Sequence, residues 1–192
     1  IIDDEPIKDK LLTIPLNQNR LYKISHGSFK TKANESIRDV FKENLWIVIH
    51  ENTKKGQAEA FKNDLTEGDF VYITIGGNEL FAIAKVKAGS WGYVPEDITD
   101  ENGWIYREVE YVKSAINPDP SPLKTFKEFF YPSGNSTFTE ITIDKIEEAN
   151  KNIFEPHFGV EFISEGATKI KVQGEVQKHP NINSIIFRII RS

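Results

Sequence analysis

The stretch LWIVIHENTKKGQAEAFKNDLTEGDFVYITIGGNELFAIAKVKA, residues 45–88, decides the fold. Between its first two apolar runs lies GQAEAFKNDL, residues 56–65, whose composition favours a short helix. The last two runs are joined through GGN, residues 76–78, a turn signal that predicts a hairpin. Three runs rich in β-branched and aromatic residues predict strands: LWIVIH (45–50), DFVYITI (69–75) and LFAIAKVKA (80–88).

Further elements are predicted on both sides of this stretch. Residues 89–103 form an acidic loop, and INPDPSP, residues 116–122, is a proline-rich connector. In the helix expected at 143–154, Ile143, Ile146 and Ile153 should point inward. The remaining predictions are a helix at 33–44, strands at 104–113, 168–176 and 184–190, and a helical turn at 124–130. Strands with helices inserted between them, without regular alternation, predict an α+β fold with a curved, partly closed sheet.

Composition restricts the class of protein. The chain has 192 residues, of which 39% are hydrophobic, so it can bury a substantial core. No apolar run approaches the ~20 residues of a membrane span, and no signal peptide is recognisable. Cysteine is absent, which excludes disulfides and thiol chemistry. Because methionine is also absent, we expect a fragment of a longer, cytoplasmic polypeptide.

The net charge of −5 argues against a strongly basic nucleic-acid binder, but the charge is unevenly distributed. Residues 19–62 carry nine Lys or Arg against five Asp or Glu, whereas residues 63–120 carry four against eleven. A basic face is therefore compatible with an acidic protein, although ordinary solvated faces would give the same counts.

The sequence offers little for catalysis. It contains no phosphate-binding GxxxxGK[ST] loop and no HExxH zinc motif, and its four histidines are scattered. Glu175 and Lys178 are too far apart for a nuclease ExK motif, and Ser25 followed by His26 is not a nucleophile–base pair. We therefore expect a chain that is not an enzyme and that needs no cofactor and no metal.

A set of short motifs carries a resemblance to a known family. They are Trp46 in the first strand, LTEGDFVYI (65–73), AIAKV (82–86) and REVEY (107–111). Their order resembles the EVE domain of the PUA-like superfamily, which is related to the YTH readers. SHGSF (25–29), IHENT (49–53) and PSGNST (132–137) also look like the N-terminal modules of McrB-type, modification-dependent restriction systems. The resemblance covers residues 20–158; it leaves 1–19 as an N-terminal arm or lead-in, and 159–192 as a C-terminal extension, either a hairpin or a link to a following domain.

The resemblance implies a small barrel whose pocket receives a modified, usually methylated, base that is flipped out of DNA or RNA. The partner would be nucleic acid, and a motor or nuclease would lie in the same chain or complex. Stacking on an aromatic side chain contributes about 1–3 kcal/mol per base, which offsets the cost of flipping. The candidate wall residues of this base pocket are Trp46, Trp91, Tyr93 and Trp104.

Two polar loops and their neighbours supply candidate contacts to phosphates and base edges. Lys30 and Lys32 suit phosphates, and the amide of Asn135 offers a donor and an acceptor to a base edge. The complete set is Ser25, His26, Ser28, Lys30, Lys32, Asn78, Arg107, Asn135 and Ser136. Ordinary structural roles compete at each position, because Ser, Gly and Asn form turns and Trp46 lies in an otherwise aliphatic strand.

Two other functions remain open at this point. The first is a protein-interaction or scaffold domain on the same barrel, which would agree with the acidic middle of the chain. The second is an RNA-binding or RNA-modifying PUA-like protein, although no acid–base pair supports catalysis. The sequence names neither the modification, nor the type of nucleic acid, nor the oligomeric state.

Overall fold

The structure, a computed structural model, describes residues 11–26, 42–54, 56–75, 79–99, 102–116 and 136–164. Nine strands lie within these ranges: β1 (Leu12–Pro15), β2 (Leu21–His26), β3 (Trp46–His50), β4 (Phe70–Ile75), β5 (Glu79–Val86), β6 (Gly92–Tyr93), β7 (Trp104–Ser114), β8 (Phe138–Glu140) and β9 (Val160–Ile163). The helical segments are α1 (Gln57–Asn63), α2 (Ile143–Ala149), a π-helix (Asn150–Phe154) and α3 (Glu155–Phe158).

Seven of the strands form one sheet in the order β3-β7-β5-β4-β2-β8, with β6 paired to β7. The strand β2 runs parallel to β4, and all other pairs in this sheet are antiparallel. The prediction that residues 45–50, 69–75, 80–88 and 104–113 contribute to one sheet is confirmed. The helix predicted at 56–65 is also confirmed as α1.

The sheet curls into a half-barrel around an apolar interior. Strand β2 approaches β3, and α1 contacts both β3 and β8. Phe61 of α1 is fully buried and meets Phe138 of β8 edge-on, with 5.4 Å between ring centroids. The interior, which we call the inner core, includes Ile24, Ile47, Val71, Ala84 and Val109. The prediction of a curved, partly closed sheet is confirmed, and strands predominate over helices in the described residues.

A second core lies on the outer face of the sheet. Tyr72 of β4 points away from the inner core, and its ring meets those of Phe154 and Phe158 edge-on at 5.4 and 5.9 Å. The parallel pair β1 and β9 completes this layer, since Ile14 and Val160 are buried in the same cluster. Residues expected in an N-terminal arm and in a C-terminal extension are thus packed together here.

The helix predicted at 143–154 differs from the expectation in two ways. The regular helix ends at Ala149, and a π-helix continues to Phe154. Ile146 and Ile153 are buried as predicted, but Ile143 is 71% exposed, so its predicted inward position is wrong. Ile143 lies in the first turn of α2, where it overhangs a groove beside β9 instead of packing on the sheet.

The π-helix fixes β9 through one side chain. Asn150 is buried, its Nδ2 donates to the carbonyl of Phe162 at 2.7 Å, and its Oδ1 accepts from the amide of Phe162 at 2.9 Å. An amide side chain can replace a neighbouring strand in this way because it carries one donor and one acceptor side by side. On the edge of β9 that does not pair with β1, the backbone groups of Phe162 are therefore hydrogen-bonded.

Candidate functional site

Several strands end together at one end of the inner core. His26 closes β2 opposite Ile75 of β4, and Ile75 pairs with Glu79 at the start of β5. Strand alternation puts His26 on the same face as Tyr22 and Ile24, which belong to the inner core. We call this end the mouth and define it by four residues: His26, Lys42, Phe81 and Tyr111.

The mouth has an aromatic wall with a cation above it. The rings of Phe81 and Tyr111 meet edge-on, 5.5 Å apart, and both pack against the inner core while remaining partly exposed. The Nζ of Lys42 lies 5.0 Å from the centre of the Phe81 ring, within the range of a cation–π interaction. An apolar surface and a positive charge thus meet at one place.

Two buried polar groups face the same end. The hydroxyl of Tyr111 is buried without a hydrogen-bond partner among the described residues, and burial raises its pKa. Burial lowers the pKa of His26 to about 3, so its imidazole is neutral at physiological pH. A neutral imidazole carries one donor and one acceptor, and a phenol can do either. Because both groups are uncharged, each could bond a polar, uncharged ligand edge, and neither would compensate the charge of a phosphate.

Trp46 and Trp104, two of the predicted wall residues, lie on the opposite face of the sheet. Trp46 stacks on Tyr106 with 4.3 Å between ring centroids, and Trp104 meets His50 edge-on at 5.1 Å. Both pack against a small cluster around Val48. We call this region, formed by β3, β6 and β7, the aromatic corner. Trp104 is buried, whereas Trp46 is only partly buried.

The other two predicted wall residues flank Gly92 on β6. Trp91 packs against the inner core, and Lys62 of α1 places its Nζ 5.0 Å from the tryptophan ring. Tyr93 is 54% exposed, and its hydroxyl donates to Glu51 at 3.3 Å. The rings of Trp91 and Tyr93 meet edge-on at 5.5 Å. The four predicted wall residues therefore do not line a single pocket.

The predicted nucleic-acid contacts are dispersed. His26 lies in the mouth, and Ser25 is held in β2, where its amide donates to the carbonyl of Thr137 at 2.7 Å. Ser136 lines a cavity of about 290 Å³ between α1 and β8. Ser28, Lys30, Lys32, Asn78 and Asn135 lie outside the described residues.

Arg107 is part of a buried polar network behind α1. Its Nη1 donates to the carbonyl of Leu65 at 2.8 Å, and the charge of Asp69 acts on its guanidinium. Asp69 accepts hydrogen bonds from the amides of Arg20, at 2.7 Å, and Thr66, at 2.8 Å. The network ties the carboxyl end of α1 to β7, which is a structural role for Arg107.

Phe81, Tyr111 and Lys42 were not predicted as site residues. One sequence signal could have found two of them, since Phe81 and Tyr111 are aromatic residues within runs that predict strands. Their meeting on the inner face depends on irregular pairing, because the register shifts between Ile73 and Thr74 and between Ile83 and Ala84.

Neither a metal-binding cluster nor a membrane-spanning helix is present in the described residues. Within the described ranges, no three His, Asp or Glu side chains are grouped so that they could hold a metal ion. The helices that the structure describes are all too short or too polar to cross a membrane.

Comparisons with known proteins find structural likeness but no matching family. No family model matches the chain, and no curated protein matches it. Among solved structures, the NMR structure of Rpa0253 from Rhodopseudomonas palustris is similar, with 13% sequence identity and a TM-score of 0.41. The similarity covers 69% of this chain and 91% of that one.

Proposed function

We propose that the chain is a nucleic-acid-binding module that reads a modified, methylated base flipped out of DNA, and that the mouth receives this base. The observation that carries the proposal is the combination found there. Phe81 and Tyr111 offer an aromatic wall, Lys42 lies over that wall, and the Tyr111 hydroxyl is buried and unsatisfied among the described residues.

The energetics of base flipping favour such a combination. Unstacking and unpairing a base costs a few kcal/mol, and an aromatic contact returns about 1–3 kcal/mol. A methyl group adds only about 0.8 kcal/mol of transfer free energy, so discrimination needs a close apolar wall. The hydroxyl of Tyr111 and the imidazole of His26 would bond the edge of the base, and Lys42 would contact the neighbouring phosphate.

The family and the cellular role belong to the same proposal. The order of the sequence motifs supports an EVE, PUA-like barrel, and the curled sheet is compatible with one. In this account the module is cytoplasmic, has no catalytic activity of its own, and directs a motor or nuclease of a McrB-type restriction system to modified DNA.

A binding screen tests the proposal. Fluorescence anisotropy would measure the affinity of the chain for duplexes carrying one N6-methyladenine or one 5-methylcytosine, for unmodified duplexes and for matching RNA, all at one stated salt concentration. We expect tighter binding to one modified DNA than to its unmodified counterpart. Phe81→Ala should reduce that binding about 10-fold or more, as the loss of a stacking platform requires.

Tyr93→Ala is the matched control, because Tyr93 is an exposed aromatic residue outside the mouth. It should leave the affinity unchanged. Equal affinities of the parent for all duplexes would reject the proposal, and tighter binding to RNA than to any DNA would favour the RNA-binding alternative.

The surface around Tyr93 of β6 favours the protein-interaction function as a second candidate. Tyr93 is exposed beside Glu51, and Glu96 and Asp97 are exposed on the adjoining loop. An aromatic surface with acidic neighbours suits a segment rich in Lys and Arg and repels phosphates. Under this alternative, Tyr93→Ala would weaken binding to a Lys- and Arg-rich peptide, and Phe81→Ala would not.

A further inference from the structure

The ammonium group of Lys42 lies over the surface on which a base would stack. Its Nζ is 5.0 Å from the centre of the Phe81 ring, and both side chains are partly exposed. Phe81 also packs against the inner core and meets Tyr111 edge-on at 5.5 Å. Since Phe81 makes both of these contacts, we take the ring face under Lys42 as the one left for a base. Lys42 and a stacked base therefore compete for one surface.

The contact between Lys42 and Phe81 is weak enough to be displaced. A cation–π contact at a partly exposed site changes an equilibrium about 2- to 5-fold, whereas stacking of a base on an aromatic ring changes it about 5- to 150-fold. Within the described residues, Lys42 forms no ion pair that would have to break as well. A lysine carries its charge on a flexible four-carbon stem, so the ammonium can leave the ring without a change of the backbone.

We infer that Lys42 makes the mouth selective for a base within a polynucleotide over the same base in a free nucleoside, an inference that rests on the proposed function. Without nucleic acid, the ammonium covers Phe81. When a flipped base stacks on Phe81, the ammonium moves from the ring to a phosphate beside that base. A free nucleoside has no phosphate, so it must displace the ammonium without providing this new contact.

This role differs in sign from the two simpler roles of a lysine at this position. A lysine that only contacted phosphate would strengthen duplex binding and leave nucleoside binding unchanged. A lysine that only supported the aromatic wall would strengthen both. A lysine that covers the wall and then binds phosphate weakens nucleoside binding and strengthens duplex binding, so one substitution should change the two affinities in opposite directions.

Lys42→Ala tests this difference. NMR titration would measure the affinity for the 2′-deoxynucleosides of N6-methyladenine and 5-methylcytosine, and fluorescence anisotropy the affinity for the duplexes that carry them. For the base that the parent prefers, we expect nucleoside affinity to rise about 2- to 5-fold in the variant. Duplex affinity should fall, and the slope of log K against log salt should lose about 0.9, the value for one phosphate contact. Lys42→Arg, which keeps the charge, should retain the parental values.

The 3′,5′-bisphosphate of the same nucleoside isolates the contribution of phosphate. It should bind the parent more tightly than the nucleoside does, and this advantage should shrink in Lys42→Ala. Lys62→Ala is the matched control, because Lys62 places its Nζ at the same distance, 5.0 Å, from the ring of Trp91 outside the mouth. It should leave all of these affinities unchanged. An unchanged amide spectrum away from each substitution would verify the fold.

The outcomes separate this inference from the proposed function. If the parent prefers a modified duplex but Lys42→Ala does not gain nucleoside affinity, the inference is overturned and the proposed function stands. Equal affinities of the parent for nucleoside and bisphosphate would also overturn the inference, even if Lys42→Ala failed to fold. A parent without preference among duplexes would overturn both. The cover itself is visible without nucleic acid, as an upfield ring-current shift of the Lys42 ε-methylene protons that Phe81→Leu removes, and absence of this shift would overturn the inference.

Discussion

Trp46 lies nearly parallel to Tyr106, with 4.3 Å between ring centroids and 22° between ring planes. One face of this partly exposed tryptophan is therefore already occupied by a protein ring. Tyr106 also has a partner on the adjacent strand β6, where Gly92 pairs directly with it. The aromatic corner is thus closely packed, and it requires a residue without a side chain at position 92.

Gly92→Ala should disrupt the Trp46–Tyr106 stack. A Cβ at this position would lie 2.8 Å from Cε1 of Tyr106, so the ring must move. Overpacking of this kind costs about 1–3 kcal/mol. Urea unfolding measures the loss, and near-ultraviolet circular dichroism reports the change in the stack. In a Tyr106→Leu background the same substitution should cost much less, and an equal cost in both backgrounds would show that the contact is not responsible.

Trp104→Ala should be the most destabilising of the three tryptophan substitutions. Trp104 is 8% exposed, whereas Trp46 and Trp91 are partly exposed, and truncation of a buried tryptophan costs about 3–5 kcal/mol. The melting temperatures of the three alanine variants measure this order of stability. If Trp104→Ala retained the parental melting temperature and lost duplex binding instead, Trp104 would be a base platform, as the sequence first suggested.

Arg107→Ala should lower stability more than it changes nucleic-acid binding. The substitution removes a hydrogen bond to the Leu65 carbonyl and the cation that acts on Asp69. Loss of a buried, charge-assisted hydrogen bond costs about 1.5–3 kcal/mol. Lys54→Ala, which removes an exposed cation, is the control and should be nearly neutral. Parental stability of Arg107→Ala together with a smaller salt dependence of duplex binding would instead place Arg107 on the phosphate path.

The buried imidazole of His26 predicts a loss of stability in mild acid. Its pKa falls from 6.5 in the unfolded chain to about 3 in the folded protein, because burial disfavours the charged form. As the pH falls, the imidazole is therefore protonated in the unfolded chain while it stays neutral in the folded protein. The contribution is complete above about pH 6.5 and is lost as the pH falls towards 3.

From this group alone we expect a loss of about 2 kcal/mol between pH 7.5 and 5. The free energy of unfolding is measured with a chemical denaturant for the parent and for His26→Phe at both pH values. The difference between the two pH dependences is the contribution of His26, since the carboxylates contribute to both proteins alike. The variant should show the shallower pH dependence. Identical slopes would mean that His26 is not buried in the neutral form.

The elements that the sequence predicted well are those specified locally. Apolar β-branched runs identified β3, β4, β5 and β7, and the composition of residues 56–65 identified α1. The strands β1 and β9 were not predicted, because each has only four residues and is stabilised by pairing across most of the chain, Leu12 with Val160. Ile143 fitted the helical pattern of apolar residues. That pattern, however, does not show which turns of the helix pack against the sheet.

The candidate site was harder to predict, because residue type does not determine the face of a strand. Trp46 was selected as a large aromatic residue, yet it alternates with Ile47, which occupies the inner core, and so points outward. Phe81 faces inward beside Ala82, where simple alternation fails near a register shift. The mouth thus depends on sheet register and bulges, which only the folded structure provides.

The most direct test of the central claim compares Tyr111→Phe with the parent in both stability and base binding. The substitution removes only a hydroxyl that is buried and has no partner in the described part of the chain, so it should leave the melting temperature unchanged or raise it. If that hydroxyl bonds the edge of a flipped base, the affinity for the preferred modified duplex should fall about 5- to 10-fold, as expected for the loss of one hydrogen bond. Unchanged affinity in a protein of equal or greater stability would contradict the claim that the mouth receives the base.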